Sequence, residues 1–190
     1  VRSIGLAWSG TRYAGGSYEG GDLTDLGVEL LAEMRRLGML LDVAHLSEQA
    51  FWSALDYWDG PVTYSHGIVR HYLPAARALG DDQIMALAER GGVVGISAYN
   101  EFFVRNLRGA VPTLEDMVDA IEYVCDLTGS CDHVAIGSDA DGGFGAESAP
   151  IDTVADLQQI PTMLADRGYS AAQIDAITHG NWLRVWREVL

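Results

Sequence analysis

Residues 39–66, MLLDVAHLSEQAFWSALDYWDGPVTYSH, carry the clearest structural signal in the chain. Two apolar runs, Met39–Ala44 and Pro61–Ser65, flank a stretch with helical spacing, SEQAFWSALDYW, which Ser47 opens as an N-cap. A strand, a helix and a second strand in so few residues form a βα unit, so the strands run parallel. They are apolar along almost their whole length, as strands covered on both faces are. Each run is followed directly by a histidine, His45 and His66. Parallel strands bring both imidazoles to the carboxyl-end rim of the sheet, where α/β proteins build their sites.

The same alternation recurs on both sides of this stretch. Further strands are expected at Ser3–Trp8, Gly92–Ala98 and His133–Ser138, with Asp139 placed after the last as the histidines are after theirs. Helical patterns lie between them: LTDLGVELLAEMRRLG between Thr24 and Gly38, DDQIMALAERGG closed by glycine, and TLEDMVDAIEYVCDLTG capped by Thr113. After the last strand come TVADLQQIPTMLADRG, SAAQIDAITHG and NWLRVWREVL. The expected product is one α/β domain over residues 1–190 with a parallel sheet. Five units fall short of a closed barrel, which needs eight strands and about 250 residues. An open five-stranded sheet is one solution; as the later part of a (β/α)8 TIM-type barrel, the expectation carried forward, the chain supplies about the last five βα units. Val1 stands where an initiator methionine would, and VRSIGLAW reads at once as a strand, so a longer polypeptide is expected. Bare parallel edges invite pairing, and the missing amino-terminal barrel segment is expected from a second chain or from the rest of a precursor.

Composition narrows the function. With 12 Lys and Arg against 27 Asp and Glu, the net charge of −15 excludes nucleic acid as a partner, since phosphate binding needs clustered cations. No apolar run reaches the roughly 20 residues that span a bilayer. The localisation stays open between cytoplasmic and exported. Cys125 and Cys131 are too few for a disulfide framework or a thiolate zinc site and are expected as reduced thiols. The glycine-rich run GTRYAGGSYEGGD lacks the Gly-Lys-Ser/Thr ending of a phosphate loop and reads as a mobile loop beside the rim.

The rim residues suit metal-assisted hydrolysis. Imidazoles on adjacent strands, whose axes lie about 5 Å apart, can touch one zinc ion. Such an ion lowers the pKa of bound water to about 7. A neighbouring aspartate can pass a proton to a departing amine, and an arginine fork can grip a free carboxylate. Plainer readings stand beside these. A histidine at a strand end can cap carbonyls, Asp139 and Asp141 can be turn residues, and Arg77 can be solvated, as Arg70 in the same loop can. Phe102 is placed at the pocket mouth. His71, His133 and His179 read as surface or capping groups, and Trp52, Trp58, Trp182 and Trp186 as residues that pack helices on the sheet.

Five blocks carry a family resemblance: residues 21–52 (GDLTDLGVELLAEMRRLGMLLDVAHLSEQAFW), 61–66 (PVTYSH), 79–99 (LGDDQIMALAERGGVVGISAY), 132–142 (DHVAIGSDADG) and 180–189 (GNWLRVWREV). In order and spacing they resemble the later half of the membrane (renal) dipeptidase family of zinc peptidases. The resemblance implies a barrel holding two zinc ions bridged by a carboxylate and a water or hydroxide, and hydrolysis of dipeptides by metal-activated water. His45 and His66 correspond to the ligands of the second zinc, Arg77 to the arginine that holds the substrate carboxylate, and Asp139 to the aspartate that handles protons. Trp8 stands where the renal enzyme has a histidine that contacts the substrate carbonyl, which implies an altered substrate contact. Ala140 stands where an aromatic is usual. The family's His-x-Asp pair and bridging Glu have no counterpart in this chain. A homodimer is implied as well. A dinuclear amidohydrolase acting on lactams or cyclic amides, and a non-catalytic homologue, are the alternative functions.

Overall fold

The computed structural model describes residues 1–106 and 112–190. Its centre is a five-stranded parallel sheet of β1 (Ser3–Gly5), β4 (Leu40–Asp42), β5 (Val62–Gly67), β6 (Val93–Ile96) and β7 (Val134–Ile136), neighbours in that order. Every adjacent pair in it is parallel. Sequential order with a helix between strands is the pattern of a barrel wall. The crossing helices are α1 (Asp25–Arg36), α2 (Glu48–Tyr57), α3 (Asp81–Glu89) and α4 (Leu114–Thr128).

Local chemistry sets the helix ends. Thr24 Oγ accepts from the Gly27 amide and Ser47 Oγ from the Ala50 amide, satisfying donors that a helix start leaves open. Thr113 and Asp116 form a reciprocal capping box on α4. Gly38 follows α1 at φ 62° and Gly91 follows α3 at φ 68°, a region where a side chain is costly.

Alternation along the strands sorts two packing layers. Leu41, Val62, Val94 and Val134 face the helices and pack with Leu31, Phe51, Ile84, Met117 and Ile121. Leu40, Val93 and Ala135 turn the other way and meet Trp182, Val185 and Trp186 of α7 (Asn181–Arg187). The sheet curves tightly there. A Cβ on Gly95 or Gly137 would lie 2.1 or 2.2 Å from the Ser65 carbonyl oxygen, so no side chain fits at either position.

Three expectations need correction. Residues 10–22 are not all loop: β2 (Ala14–Gly16) and β3 (Gly20–Leu23) form an antiparallel hairpin across a turn at residues 17–19, and Gly20 and Gly21 take positive φ where the return strand begins. The segment after Thr153 is split into a 3-10 turn, Val154–Gln159, and α5 (Ile160–Asp166). Pro161 lies in the first turn of α5, where its missing N–H costs no bond. The last two expected helices are one. α6 (Ala171–Asp175) runs through a π turn at Ala176–Gly180 into α7, and Gly180 keeps helical angles. The buried Asn181 amide then donates to the carbonyls of Cys131 and Val134 at 2.7 and 2.9 Å, anchoring the helix under β7.

Four of the sheet strands, β1, β4, β6 and β7, end earlier than expected, whereas β5 runs on through His66 to Gly67. Val43 and Ala44 leave β4 so that His45 can adopt φ 68°.

Candidate active site

His45 is held by its surroundings. A non-glycine residue at positive φ costs about 1–3 kcal/mol and persists where neighbours over-determine it. The Ser17 amide in the hairpin donates to the His45 carbonyl at 2.8 Å, and the Ser47 amide donates to Gly15 O at 3.0 Å. Asp42, the last residue of β4, accepts with one oxygen from the Ala44 and Ser65 amides, each at 3.0 Å. One carboxylate thus ties the two strand ends that carry the histidines.

His66 lies on β5, with its Nε2 2.9 Å from His45 Nε2. Ser65 Oγ sits 2.8 Å from His66 Nδ1, a hydroxyl that pairs with either tautomer; with the proton on Nδ1 the ring keeps a lone pair on Nε2. Burial pushes the His45 pKa down to about 3, helped by the nearby Arg77 guanidinium and His66. His66 is lowered by burial and by Arg77, against the pull of Asp139 and Asp42. Both rings are neutral near pH 7, the form that binds metal.

Two nitrogens bound to one tetrahedral zinc at about 2.05 Å lie about 3.3 Å apart. The observed 2.9 Å is a few tenths shorter and also suits a hydrogen bond between the rings. The donor pair fits a borderline ion. Among the described residues no group of three or more His, Cys, Asp and Glu is arranged to hold a metal, so these two donors by themselves do not make a complete site.

Arg77 is 4% exposed. Its guanidinium donates to the Tyr64 hydroxyl at 2.7 Å and to the His66 carbonyl at 2.8 Å. Arg70 points elsewhere and pairs with Glu48 at 2.8 Å, so the two loop arginines part company. Burial holds the Tyr64 phenol above its ordinary pKa and therefore protonated. Asp139 and Asp141 both take positive φ, 56° and 65°, and the Gly142 amide donates to Asp139 O at 2.9 Å. A Cβ on Gly142 would meet the Asp139 carboxylate at 2.1 Å. Asp139 is thus a turn residue whose carboxylate keeps its space because glycine follows.

One cavity of about 420 Å³ is lined by Trp8, His45, His66, Arg77, Phe102 and Asp139 together. The structure brings to one place every site residue expected from sequence. Sequence reasoning missed Tyr18, Tyr99 and Phe144 on the same wall. Tyr18 belongs to the hairpin, and the paired glycines around it were the available signal. Tyr99 and Phe144 pack ring to ring at 4.8 Å across loops distant in sequence, for which no local signal exists. The remaining histidines stay outside: His71 stacks on Tyr123, His133 Nδ1 lies 3.2 Å from Gly92 O, and His179 sits 3.3 Å from Asp175. Cys125 and Cys131 are free and buried. Among the described residues no helix is long and apolar enough to cross a membrane.

A parallel α/β sheet with paired imidazoles, an aspartate and an arginine at its carboxyl rim defines a barrel-type protein with its working cavity on that face. The chain belongs to the membrane dipeptidase family, peptidase family M19, which matches it over residues 1–190. It is 34% identical to the "uncharacterized protein in pqqA 5′ region" of Klebsiella pneumoniae, covering 100% of this chain and 72% of that one. It is 35% identical to dipeptidase aclJ of Aspergillus oryzae over 89% of this chain and 39% of the other. A metallo peptidase from Rhodobacter sphaeroides, crystallised with a phosphinate mimic of the dipeptide L-Ala-D-Ala, superposes with a TM-score of 0.88 at 28% identity. All of this chain and 56% of that one are covered. The chain thus spans part of the barrel found in its structural relatives.

Proposed function

We propose that this chain, completed as a barrel, is a zinc-dependent dipeptidase. The observation that carries the reading is the His45–His66 pair, Nε2 to Nε2 at 2.9 Å, in one cavity with Arg77 and Asp139. His45 and His66 would hold a zinc ion, with the remaining ligands and a second ion supplied by the barrel segment outside this chain. Zinc bound there supplies Lewis acidity, polarising an amide carbonyl and acidifying water. Arg77, a buried cation facing the cavity, binds the free carboxylate of the substrate. Asp139 takes up a proton and delivers it to the departing amine nitrogen. Trp8 and Phe102 contact the substrate from the cavity wall. The family membership and the phosphinate dipeptide mimic bound by the Rhodobacter relative support this substrate class.

The test is metal analysis by mass spectrometry on the complete protein, with His45→Ala and His66→Ala variants. Each variant is expected to lose bound zinc, and unchanged zinc in both refutes the assignment. Release of amino acids from L-L and L-D dipeptides, set against lactam turnover, separates a dipeptidase from a lactam-cleaving amidohydrolase.

A further inference from the structure

Arg77 lies in an irregular stretch between β5 and α3, where nothing in the secondary structure fixes its direction. A buried phenol makes two of the bonds that do. Tyr64, in the middle of β5, is 1% exposed, and its hydroxyl makes two bonds to the same residue. It donates to the Arg77 carbonyl at 2.8 Å and accepts from an Arg77 terminal nitrogen at 2.7 Å. The guanidinium carbon also lies 5.1 Å from the centre of the Tyr64 ring. One oxygen therefore holds both the main chain and the side-chain end of Arg77. The other terminal nitrogen is bound to the His66 carbonyl at 2.8 Å.

The surroundings are shaped around that oxygen. Gly67 has φ 150°, and a Cβ there would lie 2.0 Å from the Tyr64 hydroxyl. Only glycine leaves the hydroxyl its place. Two of the five guanidinium N–H groups are spent on these fixed partners, and Arg77 still lines the cavity. A donor fork already locked in place loses little freedom on meeting an anion, whereas a loose one must be ordered first.

We infer that Tyr64 is a positioning residue for carboxylate recognition: its buried hydroxyl fixes the Arg77 fork toward the cavity, so the preference for substrates with a free carboxyl terminus depends on this one oxygen. The inference rests on the reading above, in which Arg77 receives the substrate carboxylate. Tyr64 touches no reacting atom and acts only through Arg77. Tyr64→Phe keeps the ring beneath the guanidinium and removes only the hydroxyl.

The experiment measures binding by calorimetry on the complete, metal-loaded protein. The probes are a phosphinate dipeptide mimic and the same mimic with its carboxylate capped as an amide. Wild type should favour the carboxylate form. Tyr64→Phe should reduce that preference about tenfold, the size of one charge-assisted hydrogen bond, with bound zinc unchanged. Arg77→Met should abolish the preference. A preference kept intact in Tyr64→Phe but lost in Arg77→Met overturns the role of Tyr64 and leaves that of Arg77 standing. An equal loss for both mimics in Tyr64→Phe also overturns it, because that is what a merely structural tyrosine would give. A preference retained in Arg77→Met overturns the Arg77 reading and the inference with it. No binding of either mimic to wild type refutes the dipeptidase reading itself.

Discussion

Asp42→Ala tests how the two imidazoles are brought together. The carboxylate oxygen accepts from the Ala44 and Ser65 amides at 3.0 Å each, one on the segment that leads to His45 and one beside His66. Removing it orphans two part-buried donors. A buried donor without a partner costs about 1–3 kcal/mol, and water recovers some of that here, so a loss of about 2–3 kcal/mol is expected. Asp42→Asn keeps an acceptor oxygen and loses only the charge, so about half of that loss is expected. Urea unfolding of the complete protein reads the change as a lower midpoint at constant slope. Zinc affinity should fall in the same order, by about 10–100-fold for Asp42→Ala, as when a supporting contact of a metal ligand is removed. The reasoning fails if Asp42→Ala shifts stability by less than about 0.5 kcal/mol, the usual range for a surface substitution, and binds zinc as wild type does.

Two further outcomes follow from the geometry. Gly95→Ala places a Cβ 2.1 Å from Ser65 O, so the end of β5 must move; a cost of about 1–3 kcal/mol and weaker zinc binding are expected, and native-like values for both would contradict the close approach. The lowered His45 and His66 values mean that the unfolded chain takes up protons below about pH 6.5 while the folded one resists, His45 down to about 3. Stability of the metal-free protein should therefore fall as pH drops through that window, and less steeply in His45→Ala; parallel curves for the two proteins would rule out the buried, neutral imidazole.

The hairpin and the π turn show where local reading stopped. In residues 10–22 the apolar alternation that marks a strand is absent, since the hairpin is held by its docking on His45 and Ser47 rather than by its own side chains. Between Ala176 and Gly180, glycine looked like an end signal, yet the Asn181 bonds to two carbonyls near β7 favour a wider turn over a stop. In both cases contacts distant in sequence outweighed propensity.

The order of the five sheet strands and their crossing helices, and the placing of His45, His66 and Asp139 near strand ends, are legible along the chain because period and capping are local properties. The family resemblance singled out Arg77, while a solvated arginine, as Arg70 seven positions earlier can be, stayed the plainer reading. Packing in three dimensions buries Arg77 against Tyr64 while Arg70 pairs with Glu48, brings the imidazoles to 2.9 Å, and adds Tyr18, Tyr99 and Phe144 to the wall. Distances across a curved sheet depend on which side chains are missing, at Gly95 and Gly137 above all, and on loops that meet only when the strands have paired.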